Sequence, residues 1–238
     1  MNKLILACAA FGAFGLTAAP AMADAITLDA SNIGTNYTLN YNGFSDGTTI
    51  SGLTGSTTFT LTGISGNDYT FGYSVSNTSS TPITASRISS FAFNTNPDIA
   101  SASSTGAFSY TTLNSNYPNG IGNVDVCFKD ASTGACAGGG SGGLTIGESG
   151  TGAFTLSFSQ PISSLTLSDF YLRYQSISGA GNVTSASGAG TLTGTTSGGT
   201  SVPEPGMLGL LSLGLIGTAL LRRRRHSALS AAARPAFA

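Results

Sequence analysis

The residues able to do chemistry are few, and their types narrow what that chemistry could be. Asp125, Asp130, Glu148 and Asp169 are the candidate acids. Two of them flanking a glycosidic bond would make a hydrolase, which needs carboxyls roughly 5–9 Å apart. Several stand in turn or loop positions, where Asp is favoured simply for local hydrogen bonding. The oxygens near Asp125 and Asp130 could also ligate calcium, but no Asp-x-Asp-x-Asp-Gly loop is present. The chain has a single histidine, His226, near its end. A serine nucleophile in the body therefore has no imidazole partner, and a His-based zinc site is excluded there. The run Gly138-Gly139-Gly140-Ser141-Gly142-Gly143 is not a phosphate loop, because no Gly-Lys-Ser/Thr follows it. Arg173, between Tyr171 and Tyr174, is expected to pair with Asp169 or to stack on a ring. No catalytic residue, cofactor or metal site is predicted.

Charge is distributed unevenly along the chain. Of 238 residues, 8% are charged and the net charge is −1, with 33 Gly and no Trp. Residues 24–202 hold nine acids against three bases (Arg87, Lys129 and Arg173), a net of −6. Glu204 and five arginines follow. The body lacks a basic patch to neutralise phosphates, so nucleic-acid binding is excluded as its role.

Both ends read as targeting segments. Lys3, the apolar run from Leu4 to about Thr17 and Ala21-Met22-Ala23 have the order of a signal peptide, residues 1–23. Cleavage is predicted between Ala23 and Asp24, which removes Cys8. At the other end Val202-Pro203-Glu204-Pro205 precedes an apolar run, Gly206 to Leu221, and then Arg222-Arg223-Arg224-Arg225. As a helix, 206–221 would be ~24 Å long against a hydrocarbon core of ~30 Å, a short transmembrane span. The prolines prevent helix continuation upstream. The arginines favour the cytoplasmic side, which places the acidic body outside. Residues 226–238 form a small, Ala-rich tail.

This tripartite end closely resembles the PEP-CTERM sorting signal of Gram-negative bacteria that make extracellular polysaccharide. The resemblance implies an exosortase-type membrane peptidase as partner, recognising Pro-Glu-Pro. It also implies transient anchoring in the inner membrane, then release to the cell surface or extracellular matrix. Members of that family usually stop soon after the arginines, whereas His226 to Ala238 follow here. A second resemblance rests on the run Leu113 to Gly122, on Val124-Asp125-Val126-Cys127-Phe128, on Gly152 to Leu156 and on Asp169 to Gln175. These look like the cistern family of PEP-CTERM proteins, which implies a shared domain and address but no activity.

The body that these signals would deliver reads as all-β. Tyr37, Leu39 and Tyr41 alternate with Thr38 and Asn40. The same period of two runs through Phe59–Leu61, Tyr69–Val75, Val124–Phe128, Phe154–Phe158 and Leu165–Leu167. Further strands are expected at Ala25–Asp29, Ile88–Phe93, Ala107–Leu113, Phe170–Ile177 and Thr191–Gly194. Asn42-Gly43, Asp46-Gly47, Ser65-Gly66-Asn67-Asp68, Asn96-Pro97 and Asn119-Gly120 carry turn chemistry. The expected fold is a single antiparallel β-sandwich, Greek-key or jelly-roll-like, over 24–194. Ser178–Gly190 reads as a turn region and 195–201 as a flexible linker. In an oxidising compartment Cys127 and Cys136 are the pair left to form a disulfide. The expected function is that of a non-catalytic surface or matrix protein associated with exopolysaccharide. Its Thr, Ser and Asn faces and exposed tyrosines would supply the contacts. The alternative is a secreted carboxylate-dependent hydrolase. Ice binding through patches such as Thr58-Phe59-Thr60 ranks below both, for want of a regular repeat.

Overall fold

The computed structural model describes residues 24–132, 136 and 142–196. Among these, twelve strands form: β1 (Ile26–Leu28), β2 (Asn36–Ser45), β3 (Thr48–Ser65), β4 (Asp68–Asn77), β5 (Ala85–Asn96) and β6 (Ser101–Gly106), then β7 (Tyr110–Tyr117), β8 (Gly122–Lys129), β9 (Leu144–Thr145), β10 (Ser149–Ser157), β11 (Leu165–Ser178) and β12 (Ser185–Thr196). One short 3-10 turn, Ala30–Asn32, follows β1 and is capped by Asp29, whose carboxylate accepts from the Ser31 amide at 2.8 Å.

The all-β expectation holds, and every strand pairing is antiparallel. The division into two facing sheets is corrected. Hydrogen bonding links the strands into one sheet in the order β6-β10-β4-β3-β2-β12-β11-β5-β8-β7, with β1 beside β11 and β9 beside β5. That sheet curls until its ends nearly meet. Phe154 on β10, next to one end, stacks on Phe128 of β8, next to the other, with ring centroids 4.7 Å apart. The reason is a single wide apolar face, which a sheet of this length buries by folding onto itself. Phe59 on β3 lies 5.7–5.9 Å from the rings of Phe91, Phe93, Phe154 and Phe170. Aromatic pairs at such spacings add about 0.5–1.5 kcal/mol each beyond area burial.

The two outermost strands, β6 and β7, are joined by residues 107–109. Phe108 in that connection is fully buried, and its amide donates to the Tyr73 hydroxyl at 2.9 Å. The same hydroxyl donates to the Thr105 carbonyl at 2.8 Å. One tyrosine thus ties β6 and the connection across the seam to β4.

Local departures from the sequence reading share a cause, the small residues. Asn42-Gly43 is not a turn but lies within β2. A Cβ on Gly43 would sit 2.4 Å from Leu53 Cδ2, so glycine is there for packing. The hairpin instead turns at Asp46-Gly47, both with positive φ (49° and 74°), the backbone that a tight two-residue connection needs. The expected turn region over 178–190 is narrowed to 179–184, and of the expected linker 195–201 only 195 and 196 are described, both within a strand. Strand β12 begins at Ser185 and runs to Thr196, between β11 and β2. Its small residues make room for rings. A Cβ on Gly190 would lie 2.8 Å from Tyr41 Cε1, and one on Gly188 would lie 2.9 Å from Tyr174 Cε2. The strand expected at Ala107–Leu113 is shifted to Tyr110–Tyr117, and β6, a Ser/Ala run without large apolar residues, had no sequence signal.

Candidate functional site

Each of the four candidate acids has a partner within the fold. Asp125 on β8 accepts from the Thr95 amide at 2.8 Å, and its own amide donates to Asn94 Oδ1 at 3.0 Å. Asn94 Nδ2 donates to Asp169 Oδ2 at 3.0 Å. Two of the predicted acids therefore meet on one asparagine, which joins β5, β8 and β11. Asn94 was not a candidate from sequence, and no local signal marks it, because its partners lie about 30 and 75 residues away. Asp169 stands at φ 52°, where the register between β11 and β5 shifts. Glu148 is a turn clamp, its carboxylate accepting from the Thr145 amide at 2.7 Å. Among the described residues no group of three or more His, Cys, Asp or Glu is placed to hold a metal ion.

Asp130 is enclosed, its side chain 4% exposed. Arg87 Nη1 lies 3.5 Å from Asp130 Oδ2. Arg87 also donates to the Gly142 carbonyl, to Gln175 Oε1 at 2.7 Å and to Ser176 Oγ at 3.3 Å. Burial pushes the Asp130 carboxyl above its ordinary range, and the guanidinium works against that rise. The chain backs onto the carboxylate at Gly142, where a Cβ would be 2.6 Å from Asp130 Oδ2. A pocket of about 300 Å³ opens beside Arg87, lined by Thr84, Ala85, Ser86, Thr145, Ile146 and Ser176, with no carboxylate in its wall.

Arg173 is buried, with its pKa lowered by desolvation and partly restored by the neighbouring Tyr117. The ring of Tyr117 lies 5.5 Å from that of Tyr171. The expected exposed tyrosines are corrected: Tyr37, Tyr41, Tyr69, Tyr73, Tyr117 and Tyr174 are buried, and Tyr110 is the large exposed aromatic among the described residues. Tyrosine rings supply the core because the strands' outward positions went to hydroxyl residues.

Cys127 and Cys136 form a disulfide, with Cα atoms 5.8 Å apart and both residues fully buried. The Cys136 amide donates to Ser115 Oγ at 3.0 Å and its carbonyl accepts from Ser90 Oγ at 3.1 Å. The bond thus holds the loop after β8 against β5 and β7.

The outer face of β2, β3, β4 and β10 is an ordered hydroxyl surface. Register aligns Thr38, Thr58, Ser74 and Thr151 in one row across the four strands, and Asn40, Ser56, Ser76 and Ser149 in the next. Neighbouring strands lie ~4.8 Å apart, and rows two residues apart are ~6.8 Å apart. Cross-strand hydrogen bonds fix the side chains: Thr38 to Thr58 at 3.1 Å, Ser76 to Ser149 at 2.6 Å and Thr70 to Thr155 at 3.3 Å. In β2, β3, β4, β6, β10 and β12 together, Asp68 at the start of β4 is the one charged residue. The other strand-borne charges sit on β5, β8 and β11, and the remaining described acids lie outside the strands, with Asp46 between β2 and β3 and Glu148 just before β10.

The sorting segment itself, Val202 to Pro205 with Arg222 to Arg225, lies outside the described residues. So do the cleavage-site residue Ala23, the helix expected at 206–221 and the tail 226–238. No helix among the described residues is long and apolar enough to cross a membrane. Residues 201–225 match the family model of the PEP-CTERM protein-sorting motif. The chain therefore carries a sorting motif that implies export, a membrane-anchored precursor and processing by an exosortase-type membrane enzyme on the way to the cell surface. No curated protein and no solved structure matches the chain.

Proposed function

We propose that this is an exported, non-catalytic surface or matrix protein, released by an exosortase-type peptidase and associated with exopolysaccharide. The observation that carries the reading is the sorting motif at 201–225. The body supports it by what its acids do. The Asp125 carboxylate accepts from the Thr95 amide, that of Asp169 accepts from Asn94, that of Glu148 closes a turn and that of Asp130 faces Arg87, so each carboxylate has a partner within the fold. A hydrolase would need two of them to converge on a substrate. The resemblance to the cistern family belongs to the same reading and adds a shared domain.

The test is fractionation of a producing cell with mass spectrometry of both ends of the exported form. The expected mature chain starts at Asp24 and lacks Arg222 to Arg225. An exported form that retains residues 222–238 would overturn exosortase processing. Release of reducing sugar from neutral or acidic polysaccharides by the purified chain would overturn the non-catalytic role.

A further inference from the structure

We infer that the outer face of β2, β3, β4 and β10 is the surface that engages the polysaccharide, and that its preferred polymer is uncharged. The inference rests on the proposed association with exopolysaccharide and names the face and the ligand class. Charge selects the class. The charges at the margins of this face, Asp46 in the β2–β3 turn, Asp68 at the start of β4 and Glu148 just before β10, are all acidic, so a polyanion meets repulsion within the ~10 Å that salt leaves unscreened and finds no cation on these strands. The rows of Thr38, Thr58, Ser74 and Thr151 hold no charge to attract a polycation either. Among the described residues the large exposed apolar ones are Ile33 and Tyr110, both off these four strands. A protein partner or a lipid surface would need an apolar patch, which this face lacks.

What the face offers is hydroxyl groups, each both donor and acceptor, in fixed rows. The bond between Thr38 and Thr58 takes one proton and leaves acceptor lone pairs and a second hydroxyl proton free to point outward. A polyhydroxylated neutral chain matches such a surface group for group. Each single contact is weak, because it replaces a bond to water. A polymer crossing several rows turns the later contacts into intramolecular ones, so retention rises steeply with chain length.

Affinity electrophoresis of the full chain tests this, with laminarin as the neutral glucan, its short oligosaccharides and alginate as the acidic polymer. The expected result is retardation by laminarin, at least tenfold weaker binding of the oligosaccharides, and less retardation by alginate. The variant Thr38→Val, Thr58→Val, Ser74→Ala and Thr151→Val should lose laminarin binding at least tenfold. The milder pair Thr58→Val and Ser74→Ala, which keeps the fold if the fourfold variant does not, should lose at least threefold. Thr27→Val with Thr166→Val removes another outward hydroxyl pair, bonded at 3.2 Å but off this face, and should bind like the unaltered chain. Unchanged laminarin binding by both row variants would overturn the face while leaving polysaccharide association standing. Tighter binding of alginate than of laminarin would overturn the neutral preference. No binding of the unaltered chain to either polymer would overturn both this inference and the association beneath it, though not the sorting motif.

Discussion

Glycine 55 offers a sharp test of how this core is built. It sits on β3 with its missing side chain aimed inward. A Cβ there would lie 2.6 Å from Tyr174 Oη, 2.7 Å from Leu172 Cδ1 and 3.1 Å from Ile88 Cδ1. Those three side chains come from β5 and β11 and are all fully buried, so none can swing into solvent. Gly55→Ala should therefore act as overpacking, at about 1–3 kcal/mol. For a body of this size that lowers Tm by about 2–12 °C. Gly72 on β4 provides the contrast. There the nearest atom to an added Cβ is Thr62 Cγ2 at 3.7 Å, an ordinary contact. Gly72→Ala should stabilise by about 0.4–1 kcal/mol, because alanine has less unfolded-state entropy to lose. Urea unfolding followed by circular dichroism reads both, with the slope m unchanged if only stability moves. Equal stability of Gly55→Ala and the parent would refute the packing argument. So would equal destabilisation by the two substitutions.

Other consequences can be checked on the same material. Replacing both Cys127 and Cys136 by Ser opens a loop with a sequence separation of 9, which chain entropy values at about 2.7 kcal/mol. Denaturant melts of oxidised, reduced and doubly substituted chains should give that difference, with the last two alike. Phe154→Ala removes a ring that touches Phe59, Phe71, Phe91, Phe93 and Phe128 and should lose about 3–5 kcal/mol, measured by thermal melting. Asp130 holds its proton more tightly folded than unfolded. Between its unfolded and its raised folded pKa the native state thus binds the extra proton, and unfolding free energy falls as pH rises through that window. Against Asp130→Asn, the parent chain should lose relative stability over that rise; a pH-independent difference would contradict it.

The sequence was most legible where side-chain size alternated. Tyr69, Phe71, Tyr73 and Val75 face the core as their period of two requires, and the Thr and Ser between them face out. It was least legible in the Gly/Ser/Ala stretch of β12, where the expected turn hid a strand. Small residues carry no periodic signal of their own. Their reason lies in Tyr41, Tyr174 and Phe170, which fill the space that Gly188 and Gly190 leave open. Asn94 was missed for a related cause. An asparagine that accepts from the Asp125 amide on one strand and donates to the Asp169 carboxylate on another is visible only after those strands pair.

By itself, the sequence determined the all-β class, the acidic body without a catalytic histidine, the cysteine pair and the sorting motif at 201–225. Each of these is a matter of residue type or near-neighbour spacing, which needs no fold to be read. Tertiary structure alone decided that the strands make one curled sheet. It also decided that the tyrosines turn inward, that Asp125 and Asp169 meet on Asn94, and that the hydroxyls line up in rows. Those outcomes depend on register between strands far apart in the chain, where a shift of one residue exchanges the buried and exposed faces.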